Sequence, residues 1–330
     1  MLRRRSKHLI PITASLVAGG ALAGTAFAMA EYVFRELTSP SPARFPLSMG
    51  FTPFELNVEW EEVTFSAEGG TLLGGWLLPR GAQAPAILAC GGYRGRRSDL
   101  LGISASLWRA GFTVLLFDYR GYGDEPGPVT LGYRELADTR AALNYLRQLR
   151  PRAPVGVIGF SMGAAIAIML AAREPDVRAV VADSPFTSQW EIVRFHVGNR
   201  WRLGPARSTE AAVHLILLLV ERKLLRQFGF RFEDVHPMRD VAQLGQRPLL
   251  LIHGEADSMI PVEHGRRMAE AAREAGVPVE SWFLPAVGHC GAYFADRVGY
   301  CRRVTEFFTR HVRAAPEEGA PTLVLVPAAS

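Results

Sequence analysis

Residues 56–313 predict an α/β fold in which a mainly parallel sheet is covered by helices on both faces. Short apolar runs of strand length alternate with segments of helical periodicity along most of the 330-residue chain, the pattern of a sheet buried on both sides. A glycine-flanked serine also sits between one such strand and one such helix. The composition agrees. With 48% apolar and 21% charged residues, the chain has ample material for a core, and wholesale disorder is excluded.

At the amino terminus, the 22 residues from Leu9 to Ala30 contain no Asp, Glu, Lys or Arg. As a helix they would span about 33 Å, against a hydrocarbon layer of about 30 Å. The expectation is a transmembrane anchor. A secretory signal cleaved after the small-x-small string Ala28-Met29-Ala30 is the alternative, giving a secreted domain. Residues 1–8 are a basic flank carrying Arg3, Arg4, Arg5 and Lys7. The positive-inside bias keeps that flank cytoplasmic and places the body outside the cytoplasm. The same four residues account for most of the net charge of +5, so the body is near neutral. It offers no basic face for nucleic acid.

Residues 31–55 hold Pro40, Pro42, Pro46 and Pro53 and read as a linker. Trp60–Phe65 and Thr71–Leu78 read as strands around the turn signal Gly69-Gly70. Ala86–Ala89, Thr113–Phe117, Val155–Phe160, Arg178–Ala182, Pro248–His253 and Glu280–Leu284 are further strands. Helical patterns fall at Leu131–Leu149, Met162–Ala172, Met268–Ala275 and Val298–Val312. Residues 314–330, rich in Pro and Ala, read as a disordered tail. Cys90, Cys290 and Cys301 lack the close spacing of a zinc site. Three free thiols are expected, with a Cys90–Cys290 disulfide as the alternative in an oxidising compartment.

The string Gly159-Phe160-Ser161-Met162-Gly163 lies directly after a strand and directly before a helix. A serine on so sharp a turn has its hydroxyl exposed, and the glycines relieve clashes with neighbouring elements. The helix terminus behind it favours developing negative charge. Ser161 is therefore the candidate nucleophile. It needs a base, and the base needs an orienting acid. His289, after the last strand, and Asp257, after the strand before it, emerge at the same sheet edge as Ser161. Asp183 is the alternative acid, Glu255 a further rival, and His253 reads as structural. An oxyanion would be held by the N–H of Met162 and by one from Cys90-Gly91-Gly92-Tyr93-Arg94-Gly95, where Tyr93 is the choice.

These features resemble the α/β-hydrolase superfamily over roughly residues 56–312. Within it they resemble the membrane-anchored bacterial hydrolases of the prolyl-oligopeptidase and dienelactone-hydrolase type. The resemblance rests on the Ser161 turn, Asp118-Tyr119-Arg120-Gly121-Tyr122-Gly123, Asp183-Ser184-Pro185-Phe186, Asp257 and Gly288-His289. It implies an α/β-hydrolase fold and a hydrolase without metal or organic cofactor. The chain departs from the family in placing Gly91 where the oxyanion loop usually has His. It also carries Asp124-Glu125 where a Ser often stands.

Between about residues 188 and 236 the alternation breaks, where the resemblance implies a lid. Trp190, Phe195, Trp201, Phe228, Phe230 and Phe232 make this insert aromatic, and Ala211–Val220 is almost wholly apolar. It reads as a buried lid helix, or as a surface for acyl chains or lipid. The expected activity is hydrolysis of a carboxylic ester or thioester, on a small-molecule acyl ester or lipid-like substrate. The alternatives are a peptidase or amidase of the same fold, and a non-catalytic membrane-tethered binding protein.

Overall fold

The computed structural model describes residues 9–40, 51–122, 127–201 and 207–313, with 9–22 and 207–208 as backbone only. The basic flank, the expected tail and the Asp124-Glu125 departure lie outside the described residues. A long helix, α1 (Leu9–Thr38), precedes a hairpin of β1 (Glu61–Ser66) and β2 (Leu72–Leu78). Next come β3 (Ala86–Cys90), α2 (Leu101–Arg109), β4 (Thr113–Phe117) and α3 (Tyr133–Leu149). They are followed by β5 (Val155–Phe160), α4 (Met162–Arg173) and β6 (Val177–Asp183). Three consecutive helices, α5 (Gln189–Arg200), α6 (Arg207–Phe228) and the short α7 (Pro237–Asp240), then interrupt the alternation. It resumes with β7 (Leu249–Gly254), α8 (Val262–Glu274), β8 (Val279–Leu284), α9 (Ala292–Ala295) and α10 (Arg297–His311).

The eight strands form one sheet in the order β1-β2-β4-β3-β5-β6-β7-β8. The pairs β1–β2 and β2–β4 are antiparallel, and all the other neighbours are parallel. Burial follows position. Every residue of the interior strands β3, β4 and β7 is buried, whereas edge strand β1 alternates between buried and exposed. Successive strand residues serve opposite faces. Leu88, Leu115, Val157 and Leu251 belong to one core with residues of α3, α4 and α8. Their neighbours Ile87, Leu116, Ile158 and Ile252 belong to the other, with α2 and α10.

Each expected strand is present to within a residue or two at either end. Among the helices, α8 starts at Val262 rather than Met268, and α3 starts at Tyr133. Leu131 and Gly132 both have positive φ, so the helix cannot begin there. The buried Glu135 carboxylate accepts the N–H groups of Thr130 (2.7 Å) and Gly132 (3.0 Å) and so closes that turn. The sequence does not announce α2, whose buried apolar residues at 101, 103, 105 and 107 alternate as a strand would. Cys90, Cys290 and Cys301 are free thiols.

The amino-terminal expectation requires correction. Among the described residues no helix is long and apolar enough to cross a membrane, and a single-pass protein with its body outside the cytoplasm is not supported. Nor does the helix end at Ala30 to release a linker. It runs on to Thr38, and Ala30, Val33 and Phe34 are buried in the core. There Phe34 stacks on Phe228 of α6, with ring centroids 6.0 Å apart, and Glu31 is paired with Lys223 of the same helix. Burying a side chain such as Val33 or Phe34 is worth about 1.5–3 kcal/mol, so this half of α1 is docked on the domain.

Candidate active site

Ser161 lies between the last residue of β5 and the first of α4, with φ 56° and ψ −118°. That backbone is rare for a residue with a Cβ and is tolerated where the surroundings fix it. Its N–H donates to the Asp183 carbonyl (2.8 Å) as the β5–β6 ladder ends. The flanking glycines are steric necessities. A Cβ on Gly159 would overlap the carbonyl of Gly163, and one on Gly163 would overlap the carbonyl of Cys90 at the end of β3. The turn thus packs backbone against backbone, with the serine hydroxyl left at its crest.

His289 and Asp257 come from neighbouring loops that are themselves in backbone contact. Glu255 N–H donates to Leu284 O and Ala256 N–H to Val287 O, both at 2.9 Å. A Cβ on Gly254 would collide with the Val287 carbonyl, so glycine there lets the two loops close up. The result is a continuous relay. Ser161 Oγ–H donates to His289 Nε2 at 2.9 Å, and His289 Nδ1–H donates to Asp257 Oδ2 at 2.7 Å. The other carboxylate oxygen accepts the N–H groups of Met259 and Ile260, both at 2.8 Å. Burial alone would raise the Asp257 carboxyl. The hydrogen bonds from His253, His289 and Ile260 N–H outweigh it and hold the group well below the usual carboxylate range.

The rival acids are occupied elsewhere. Asp183 is buried, and its two oxygens accept from Ser184 Oγ and from the Tyr300 hydroxyl of α10, both at 2.9 Å. Burial pushes its carboxyl up to about 6. Glu255 pairs with Arg266 at 2.8 Å. His253 is fully buried and bonds the Ile260 carbonyl at 2.8 Å, a bracing contact for the Asp257 loop. Among the described residues, the backbone N–H groups of Met162 and Tyr93 donate to no protein acceptor. Both residues line the same cavity as Ser161 and His289.

That cavity has a volume of about 560 Å³ and a largely apolar lining. Its walls include Ile192, Val193 and Val197 from α5 and Tyr32, Val33 and Leu37 from α1. The contribution of α1 escapes a reading that ends the helix at Ala30. The signal is nonetheless in the sequence. Ala30, Val33, Phe34 and Leu37 keep the i, i+3, i+4, i+7 spacing of an amphipathic helix beyond the last uncharged residue. Within the insert, Val213, Ile216, Leu217, Val220 and Leu224 of α6 are buried while Leu215 and Leu218 are exposed, so the apolar run supplies the inner face of the helix and also leaves leucines on its outer face.

Comparison with known proteins agrees with this architecture. A family model for the alpha/beta hydrolase fold matches residues 85–214, and one for the prolyl oligopeptidase family matches residues 225–315. The chain is 34% identical over 233 residues to the uncharacterized protein Rv2307c of Mycobacterium tuberculosis, covering 69% of this chain and 72% of that one. The uncharacterized protein YfhR of Escherichia coli is 30% identical over 261 residues, covering 75% and 80%. Among solved structures, the Pyrococcus furiosus esterase Pf2001 superposes with a TM-score of 0.66 at 25% identity, covering 83% of this chain and 100% of that one. An acylaminoacyl peptidase of Pyrococcus horikoshii shares the fold, with a TM-score of 0.58 at 16% identity over 80% of this chain and 43% of that one. The chain belongs to the α/β-hydrolase family and is of its prolyl-oligopeptidase type.

Proposed function

We propose that this protein is a serine hydrolase that cleaves carboxylic esters through an acyl-enzyme, with Ser161 as nucleophile, His289 as base and Asp257 as orienting acid. The observation that carries this reading is the unbroken relay from Ser161 Oγ to His289 (2.9 Å) to Asp257 (2.7 Å) at the edge of an apolar cavity. His289 Nε2 takes the hydroxyl proton as Ser161 Oγ attacks the ester carbonyl. Asp257, kept ionised by its hydrogen bonds, holds the ring with Nδ1–H towards it and stabilises the imidazolium. The N–H groups of Met162 and Tyr93 stabilise the oxyanion. The tetrahedral intermediate collapses as His289 returns the proton to the leaving alcohol. Water, deprotonated by the same nitrogen, then attacks the acyl-enzyme and releases the acid.

An ester is favoured over a peptide by the cavity, whose apolar walls from α1 and α5 offer little to the amide groups of a peptide chain. The similarity to an esterase points the same way. The match of residues 225–315 to the prolyl oligopeptidase family keeps peptide hydrolysis as the second reading. The deciding experiment is covalent labelling by a fluorophosphonate probe, comparing the full chain with Ser161→Ala, followed by turnover of p-nitrophenyl esters and peptide p-nitroanilides. Labelling confined to the wild type together with ester turnover is expected. Failure of the folded wild type to label would overturn the assignment in favour of a binding protein.

A further inference from the structure

The carboxyl-terminal half of α1 is seated on the proposed site from two sides. On one side it packs against α6, through the Phe34–Phe228 stack and the Lys223 ammonium 4.7 Å above the Phe34 ring. On the other its last turn is tethered to the loop after β3. The Tyr93 hydroxyl and the Arg94 guanidinium both donate to the Glu36 carbonyl at 2.7 Å, and the Glu36 carboxylate lies 3.6 Å from Arg94. Carbonyls of a last helical turn have no partner within the helix, so the tether uses acceptors that would otherwise face water. Tyr93 is also the proposed oxyanion donor through its backbone. One residue therefore contacts both the helix and the reacting centre.

Between these two attachments Tyr32, Val33 and Leu37 line the same cavity as Val193 and Val197 of α5 and as Ser161 and His289. We infer that Tyr32, Val33 and Leu37 are specificity-determining residues that form one wall of the pocket for the acyl group of the substrate. The inference rests on the proposed ester hydrolysis at Ser161. After the first half-reaction the alcohol departs and only the acyl group remains, attached to Ser161 Oγ, until water releases it. An apolar wall lowers the free energy of that retained fragment in proportion to the hydrocarbon it covers. Changing the wall therefore changes discrimination between acyl chains, by about tenfold for each 1.4 kcal/mol of altered contact.

The test uses the full chain and its variants Val33→Phe, which fills the cavity, and Tyr32→Ala and Leu37→Ala, which enlarge it. Tyr32 is 42% exposed, so Tyr32→Ala keeps the test informative if the overpacked Val33→Phe does not fold. For each protein kcat/KM is measured with p-nitrophenyl esters from acetate to laurate, and then with a fixed acyl group and varied alcohols. Val33→Phe should lower the long-chain to short-chain ratio at least tenfold, and the two Ala variants should shift the optimum towards longer acyl chains. Ratios unchanged within twofold in folded variants that still label with fluorophosphonate would overturn the inference alone. So would a shift seen only in the alcohol series. A folded wild type that neither labels nor cleaves any ester overturns the ester reading itself, and the inference with it.

Discussion

The Tyr93 hydroxyl donates to the Glu36 carbonyl at 2.7 Å, joining the loop beside Ser161 to the last turn of an amino-terminal helix 57 residues earlier in the chain. This bond links a candidate oxyanion donor to an element outside the strand–helix alternation. Removing it with Tyr93→Phe leaves Arg94 on the same carbonyl. A net hydrogen bond is worth about 1 kcal/mol. We expect Tyr93→Phe to lower stability by about that amount in denaturant melts and to reduce kcat several-fold with little change in KM.

The two candidate acids should separate cleanly. Asp257→Asn removes the ionised acceptor of His289 Nδ1–H and should reduce kcat by about 10⁴-fold, the loss found when such an acid is neutralised in other triads. Asp183→Asn leaves that contact in place and should keep kcat within tenfold of wild type. Esterase assays of both variants check this. Near-normal turnover of Asp257→Asn alongside an inactive Asp183→Asn would reverse the assignment.

Asp183 also makes a pH prediction. Burial raises its carboxyl from the ordinary aspartate value of about 3.8 to about 6 in the folded protein. The folded state then binds the proton more tightly than the unfolded state. The group's contribution to stability is full below about pH 4 and is lost as pH rises through 6, by about 3 kcal/mol at about 1.4 kcal/mol per unit. Asn resembles the protonated acid and cannot ionise. Thermal or urea melts should show Asp183→Asn gaining on wild type between pH 4 and 7. A difference that is flat across that range would exclude the raised carboxyl.

Gly254→Ala places a methyl group against the Val287 carbonyl, where the loops bearing Asp257 and His289 meet. The loops must separate, and the expected result is a fall in kcat of about 100-fold, as a displacement of about 1 Å can cause, with a smaller change in KM. At Gly81 a Cβ would meet nothing within 4 Å, so Gly81→Ala should stay within about 0.5 kcal/mol of wild-type stability. Steady-state kinetics and melts of the pair test whether the effect is local.

The buried Asp138 carboxylate accepts from the Arg120 backbone N–H (3.1 Å) and Nε (2.9 Å), between α3 and the loop after β4. Asp138→Ala would strand the Arg120 charge and should cost about 3–5 kcal/mol. Denaturant melts measure it. A loss below 1 kcal/mol would mean that water replaces the carboxylate.

Much of the fold is legible because its signals are local. Continuous apolar runs as short as Thr113–Phe117, rich in β-branched and aromatic residues, suit strands buried on both faces, and the turn at Ser161 is written into the spacing of Gly159 and Gly163. The candidate base and acid are legible for a related reason: in a parallel sheet, residues just after successive strands emerge at one edge. Helix α2 was hidden by an apolar alternation that a strand shares. The end of α1 is not marked by the first charged residue, because the apolar stripe runs on past Glu31 to Leu37.

By itself the sequence determined the alternation of elements, the strand–serine–helix turn and the short set of candidate residues around it, since each depends on side-chain pattern over a few positions. Tertiary structure decided which aspartate meets His289, because that choice depends on loop contacts such as Gly254 against Val287 rather than on spacing. It also decided what covers the carboxyl-terminal half of the amino-terminal helix. An apolar helical stripe suits lipid and protein equally well, and only the complementary faces of α6 and of the loop bearing Tyr93 and Arg94 show which one covers it.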